Sequence, residues 1–352
     1  MQRYVYVGAA GAPATGSGPQ MQGAYRLNVD DGRWQRLSGG LPNDVEVRSI
    51  VTQPGAPNVV YAGSQNGLYR SKDSGDTWQA LPLPGKERVV WSILLHPNDP
   101  NTILVGTEGT TIYRSTDAGA SFKELDVPLP HGACKMNFPI RVLRLVVDPH
   151  APDEMYAALE VAGLVRSLDG GKTWEGCNED LLEHCKQPRY KSKIGSDTDT
   201  EGMMDSHALV ASPRHRGTLF LANRMGLFKS RDKASTWQDV EVGRFSPLTY
   251  ARDVQVSPHD QTTMYAALSV SAVSNAGSLY RSEDAGETWK RFDHGVSIDS
   301  TLMTIASSRS NKQRIYCAAR KGQVLGTEDG GQSWKSYQLP DGAQGIYSLA
   351  LN

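Results

Sequence analysis

Long apolar runs are missing from this 352-residue sequence. None approaches the roughly 18–20 residues that a membrane-spanning helix requires, so the reading is a soluble protein without a membrane partner. Excess charge is missing too, since 37 basic residues face 38 acidic ones. No overall field then draws the chain to nucleic acid or to an anionic surface. Cysteine is scarce: Cys134, Cys177, Cys185 and Cys317 are too few for a disulfide scaffold and lack metal-finger spacing. Cys177 and Cys185 share one loop and would pair only in an oxidising compartment. The opening MQRYVYVGAA alternates like a strand and lacks the charged and apolar regions of a signal peptide. That favours the cytoplasm, with a secreted location if a leader has been removed. Helix-period segments with caps are nearly absent, whereas short alternating strands recur, and this predicts an all-β fold.

One phrase is written many times instead. RSKDSGDTW at 70–78 returns as RSTDAGASF (114–122), RSLDGGKTW (166–174), KSRDKASTW (229–237), RSEDAGETW (281–289) and GTEDGGQSW (326–334). An eroded seventh copy, RLNVDDGRW, lies at 26–34. The shared skeleton is Ser/Thr-x-Asp-x-Gly-x-Ser/Thr-aromatic. The first closing aromatics stand at 34, 78 and 122, a step of about 44 residues, which is the length of a four-stranded propeller blade. The chemistry reads as a tight hairpin. Asp73, Asp117, Asp169, Asp232, Asp284 and Asp329 can each accept bonds from turn N–H groups, helped by the hydroxyl residue. The Gly permits positive φ, and the final Trp fills space between sheets. Ala234 replaces that Gly in the fourth copy, which predicts an altered turn there.

This skeleton resembles the Asp-box, or BNR, repeat of β-propellers, and the resemblance covers the whole chain. In that family the box lies on the hairpin between the third and fourth strands, at the rim and away from the functional face. The resemblance therefore implies a structural role for the phrase. The C-terminal QGIYSLALN matches the innermost strands, while the first 37 residues supply three more. The expected fold is one all-β, seven-bladed propeller over 1–352. Its composite blade joins 1–37 to 344–352, and six further blades lie at about 45–81, 88–125, 140–177, 205–240, 250–292 and 300–338. A long insertion occupies 178–204, and the stretch 187–205 is polar enough to be partly mobile. Joining the two ends in one sheet pairs edges that would otherwise be open.

The repeat register sorts residues by face. His96, His150, His215 and His259 fall at turns on the box face and read as structural. The other four, His131, His184, His207 and His294, fall on the opposite face, which also carries the longest loops (8–22, 126–139 and 177–205). Two or three of them are candidate ligands for one divalent metal ion. The starts of the innermost strands contribute Arg48, Trp91, Leu143, His207, Arg252, Met303 and Tyr347 around the channel. Glu46 and Arg141 lie just upstream, and Glu108, Glu160 and Arg224 end the second strands. Trp91 alone closes no box or box relic, so it reads as a stacking surface or a pore plug.

Several chemistries fit this ring. Arg48, Arg141 and Arg252, with Arg224, Trp91 and Tyr347, are candidate substrate-binding residues for a carboxylate, sulfate or phosphate. His207, Glu160 and Glu108 are candidate proton-transfer residues. Cys134 beside Lys135 is a weaker nucleophile candidate. Asp-box propellers include sialidases, xyloglucan-type glycoside hydrolases, sortilin-like receptors and the photosystem II assembly propeller. Sialidases imply six blades and an early Phe-Arg-Ile-Pro, whereas this chain has only FPIR at 138–141. The first reading is a small-molecule hydrolase or lyase at the channel mouth. Its alternatives are a scaffold docking a partner protein and a glycoside hydrolase with a saccharide ligand.

Overall fold

The computed structural model describes residues 2–11, 21–85 and 88–352. Most of the 8–22 loop singled out above, residues 12–20, lies outside them. Seven four-stranded antiparallel sheets make the ring. One sheet joins Ile346–Leu351 to Tyr4–Ala9, Gly23–Asn28 and Arg33–Leu37, so both ends of the chain meet in a single blade. The other innermost strands are Val47–Gln53, Val90–Leu95, Arg141–Asp148, Ser206–Ala211, Tyr250–Val256 and Leu302–Ser307. No helix among the described residues is long and apolar enough to cross a membrane.

The apolar core is divided into seven clusters, one between each pair of neighbouring sheets. Tyr6 and Leu37 of the composite blade, for example, pack against Ile50 and Trp78 of the next. A strand buried on both faces needs apolar residues at successive positions, which is why YVYVGA and IYCAA are wholly buried.

The repeated phrase builds the same turn six times. In the first, Ser71 Oγ donates to Asp73 Oδ1 (2.7 Å), while the Gly75 N–H donates to Ser71 Oγ (2.8 Å). The Thr77 N–H and hydroxyl both donate to the Asp73 carboxylate. Two successive residues take left-handed φ, Ser74 at 63° and Gly75 at 97°. Ala234 does not alter its turn: it keeps φ at 67° and its N–H still reaches Ser230 Oγ at 3.0 Å. The side-chain bonds to Asp232 hold the chain where alanine alone would not settle.

The basic residue that opens the phrase has a role the pattern did not disclose. Arg26 donates to Ser74 O, Arg70 to Ala118 O, Arg114 to Gly170 O and Arg166 to Lys233 O. Each therefore reaches the carbonyl at the left-handed turn of the following blade, stapling neighbours around the rim. The box-face histidines continue this stitching, with His150 Nε2 against Pro213 O and His259 Nε2 against Ser308 O.

The 178–204 insertion is folded rather than a free polar loop. It holds helices Glu179–His184 and Glu201–Met204, and Leu181, Met203 and Met204 are fully buried. The Glu201 carboxylate accepts the N–H groups of Ile194, Gly195 and Ser196 at 2.8–2.9 Å. Charge-assisted bonds of this kind can hold polar sequence in one conformation.

Candidate functional site

Every innermost strand carries a β-bulge near its start. The pairing registers skip one residue per blade: Arg48, Trp91, Leu143, His207, Arg252, Met303 and Tyr347. These are the seven positions that the repeat alignment placed around the channel. A bulge leaves one residue out of the ladder and re-aims its side chain, which is how seven β-strands present a ring of unlike groups.

Trp91 is enclosed. The guanidinium carbons of Arg48 and Arg141 lie 4.6 and 4.4 Å from its ring centre, and Tyr347 meets it edge-on at 5.5 Å. Its Nε1 donates to Glu108 Oε1 at 3.2 Å, and the residue is 6% exposed. Such cation–π contacts stabilise a plug rather than an open stacking platform.

Most of the candidate arginines are already paired. Arg48 bonds Glu46. Arg141 Nη1 donates to Glu160 Oε2 at 2.7 Å, and its Nε lies 3.7 Å from Glu108 Oε1. Backbone geometry dictates that trio, because Arg141 faces Glu160 in the strand ladder and Glu108 across an isolated bridge from the preceding blade. Arg224 pairs with Asp205 at 2.6 Å. Arg252 differs: half-buried, it makes no hydrogen bond or ion pair among the described residues. Burial alone would lower its guanidinium, yet Tyr250, Glu160, Tyr347 and Asp205 outweigh that and hold it above its ordinary value.

His207 is a core histidine rather than an open acid or base. Its side chain is 1% exposed. Nδ1 lies 2.7 Å from Ala251 O, and Nε2 lies 3.2 Å from both the Tyr250 hydroxyl and Asp205 Oδ2. Burial would raise the Asp205 carboxyl, but the charges of His207 and Arg224 hold it far below the usual range. A ligand in the channel cannot touch His207 without displacing this network.

The metal reading fails on geometry. His131 and His294 are exposed and separate, while His184 bonds Trp237 O at 2.8 Å among Tyr190 and Phe228. Among the described residues no group of three or more His, Cys, Asp or Glu side chains could hold an ion. Cys177 and Cys185 are unpaired, and burial pushes their thiols up to about 12 and about 11. Cys134 is also buried, with Sγ 3.3 Å from Thr198 Oγ1, so Lys135 does not make it an exposed nucleophile.

Sequence reasoning missed one residue further along each strand. The positions after the bulges are Ser49, Ser92, Arg144, Ala208, Asp253, Thr304 and Ser348. Arg144 and Asp253 stand out there among small residues, and Arg144 Nη2 donates to Asp253 Oδ1 at 2.7 Å. That contrast in size and charge was available from the same alignment.

The Sortilin-Vps10 family profile, described as sortilin, neurotensin receptor 3, matches residues 66–200 and 277–352. An oligoxyloglucan-reducing end-specific xyloglucanase of Emericella nidulans is 24% identical over 226 residues, 60% of this chain and 25% of that protein. A xyloglucanase of Acetivibrio thermocellus is 24% identical over 322 residues, 76% of this chain and 35% of that one. The chain thus spans about a quarter to a third of the length of these relatives. The solved GH74 enzyme of Niastella koreensis superposes with a TM-score of 0.61 at 18% identity, over 85% of this chain and 46% of that one. A structure of YCF48 bound to D1 peptide superposes with a TM-score of 0.57 at 17% identity, over 92% and 88%. At these identities the superpositions speak for the fold alone. With its profile matched on both sides of the ring and the box turns in place, the chain belongs to the Sortilin-Vps10 family of Asp-box propellers.

Proposed function

We propose that this propeller is a glycoside hydrolase that takes a saccharide at the loop-face mouth of the channel. The observation that carries the reading is the sharing of Arg141 by two carboxylates, Glu160 at 2.7 Å and Glu108 at 3.7 Å. Glycosidic hydrolysis needs two carboxyl groups on either side of one bond, up to about 9.5 Å apart. One guanidinium spanning both keeps their nearest oxygens inside that limit. Glu160, the more tightly held, would act as the carboxylate that activates water. Glu108, more loosely held, would deliver the proton to the leaving oxygen once ligand entry draws Arg141 aside. Such paired acid–base work contributes about 10²–10⁴-fold each. Arg252, with its donors unspent, suits an acidic or hydroxyl-rich substituent of the same ligand. The xyloglucanase relatives support a saccharide as substrate class.

A second reading, a non-catalytic propeller that docks a protein, is favoured by the closed plug around Trp91. YCF48, whose propeller fold this chain shares, is itself solved with a bound peptide. Incubation with xyloglucan oligosaccharides separates the two. The hydrolase reading expects new reducing ends from the wild type and at least a hundredfold less from Glu108→Gln and Glu160→Gln. No cleavage and no calorimetric binding by the wild type would overturn it in favour of docking.

A further inference from the structure

Below the plug, the channel encloses a cavity of about 290 Å³. Its lining includes three arginines, Arg48, Arg144 and Arg309, and no aspartate or glutamate. We infer that this cavity is a binding site for a small tetrahedral oxyanion, separate from the carboxylate pair at the loop-face mouth.

Charge is the first argument. Arg48 and Arg144 each have one carboxylate partner, Glu46 and Asp253, and neither of those carboxylates lines the cavity. Arg309 has no ion pair among the described residues. Arg309 is therefore the unpaired positive charge of the wall, while Arg48 and Arg144 add guanidinium groups already paired from behind.

Shape is the second. Arg309 follows the innermost strand Leu302–Ser307 and is exposed, so it stands at the box-face end. Arg48 belongs to the plug at the other end. The site is thus entered from the box face, opposite the proposed saccharide mouth. Its volume lies near the lower end of the roughly 300–1,000 Å³ of drug-sized pockets and admits a phosphate or sulfate with several waters. Between the arginines the exposed wall is mostly polar, with Thr304 and Ser307 as hydroxyls beside Val51, Ile93 and Leu145. The fork of an arginine matches two oxygens of such an ion, and hydroxyls in the wall are further donors to it.

The test is calorimetry and thermal melting of the full chain in inorganic phosphate, in sulfate and in chloride at equal ionic strength. A parallel titration uses glycerol phosphate, to distinguish a free oxyanion from a phosphomonoester. Saturable binding of phosphate or sulfate with a raised Tm, absent in chloride, is expected. Arg309→Gln should weaken it at least tenfold, and Ser307→Ala severalfold. Glu160→Gln should bind as the wild type does, which separates this site from the saccharide reading. Equal melting in all three salts, or unchanged phosphate affinity in folded Arg309→Gln, would overturn the inference.

Discussion

Arg144 reaches Asp253 at 2.7 Å across an intervening blade, joining two innermost strands that are not neighbours in the ring. Ala208 occupies the same layer of the blade between them, and its small side chain leaves the path open. Asp253 also accepts the N–H groups of Val254 and Ile305, so one buried carboxylate ties three blades together.

Removing that carboxylate should cost more than an ordinary surface pair. Asp253→Ala leaves a guanidinium and two backbone N–H groups without an acceptor, so a loss of about 3–5 kcal/mol is expected. Urea unfolding of the variant measures it. A loss below about 1 kcal/mol would show that the junction is not structural.

His207→Ala should lower stability as well as any activity. The side chain is buried between Tyr250, Asp205 and Ala251 O, and its removal strands three polar groups at about 2–4 kcal/mol in all. A melt identical to the wild type, with activity abolished, would restore His207 as a catalytic residue.

Glu201→Ala should free the segment it holds while leaving the ring intact. Three backbone N–H groups lose their acceptor. Faster amide exchange confined to residues 192–200, with strands such as Leu219–Asn223 still protected, is the expected pattern. Unchanged exchange at Ile194 to Ser196 would contradict it.

The box aspartates predict a specific acid limit. Hydroxyl and N–H donors, led by Ser121, Thr173 and Ser333, hold Asp117, Asp169 and Asp329 at about 2. In Asp73 burial pulls the other way, yet Thr77 and Ser71 bring it to about 2. Unfolded aspartate titrates near ~3.9, so the native state binds fewer protons over this interval. The stability these groups add is complete above about pH 4 and fades as pH falls through about 2. Tm measured against pH should drop in that window, and less steeply for Asp117→Asn. A drop of equal slope in both proteins would remove the box as its cause.

The sevenfold ring, the joined ends and the turn around each box aspartate were determined by sequence alone. Their causes are local: Ser71, Asp73, Gly75 and Thr77 find one another within seven residues, and the repeat copies the result. The bulge ring was legible for the same reason, since register repeats with the blade. Pairing across the ring was decided only by the tertiary structure. Whether Trp91 is open or enclosed depends on distances between strands 40 or more residues apart. Burial of His207 depends likewise on Tyr250 of the next blade. Those distances follow from how blades pack side by side, and spacing along the chain carries no record of that packing.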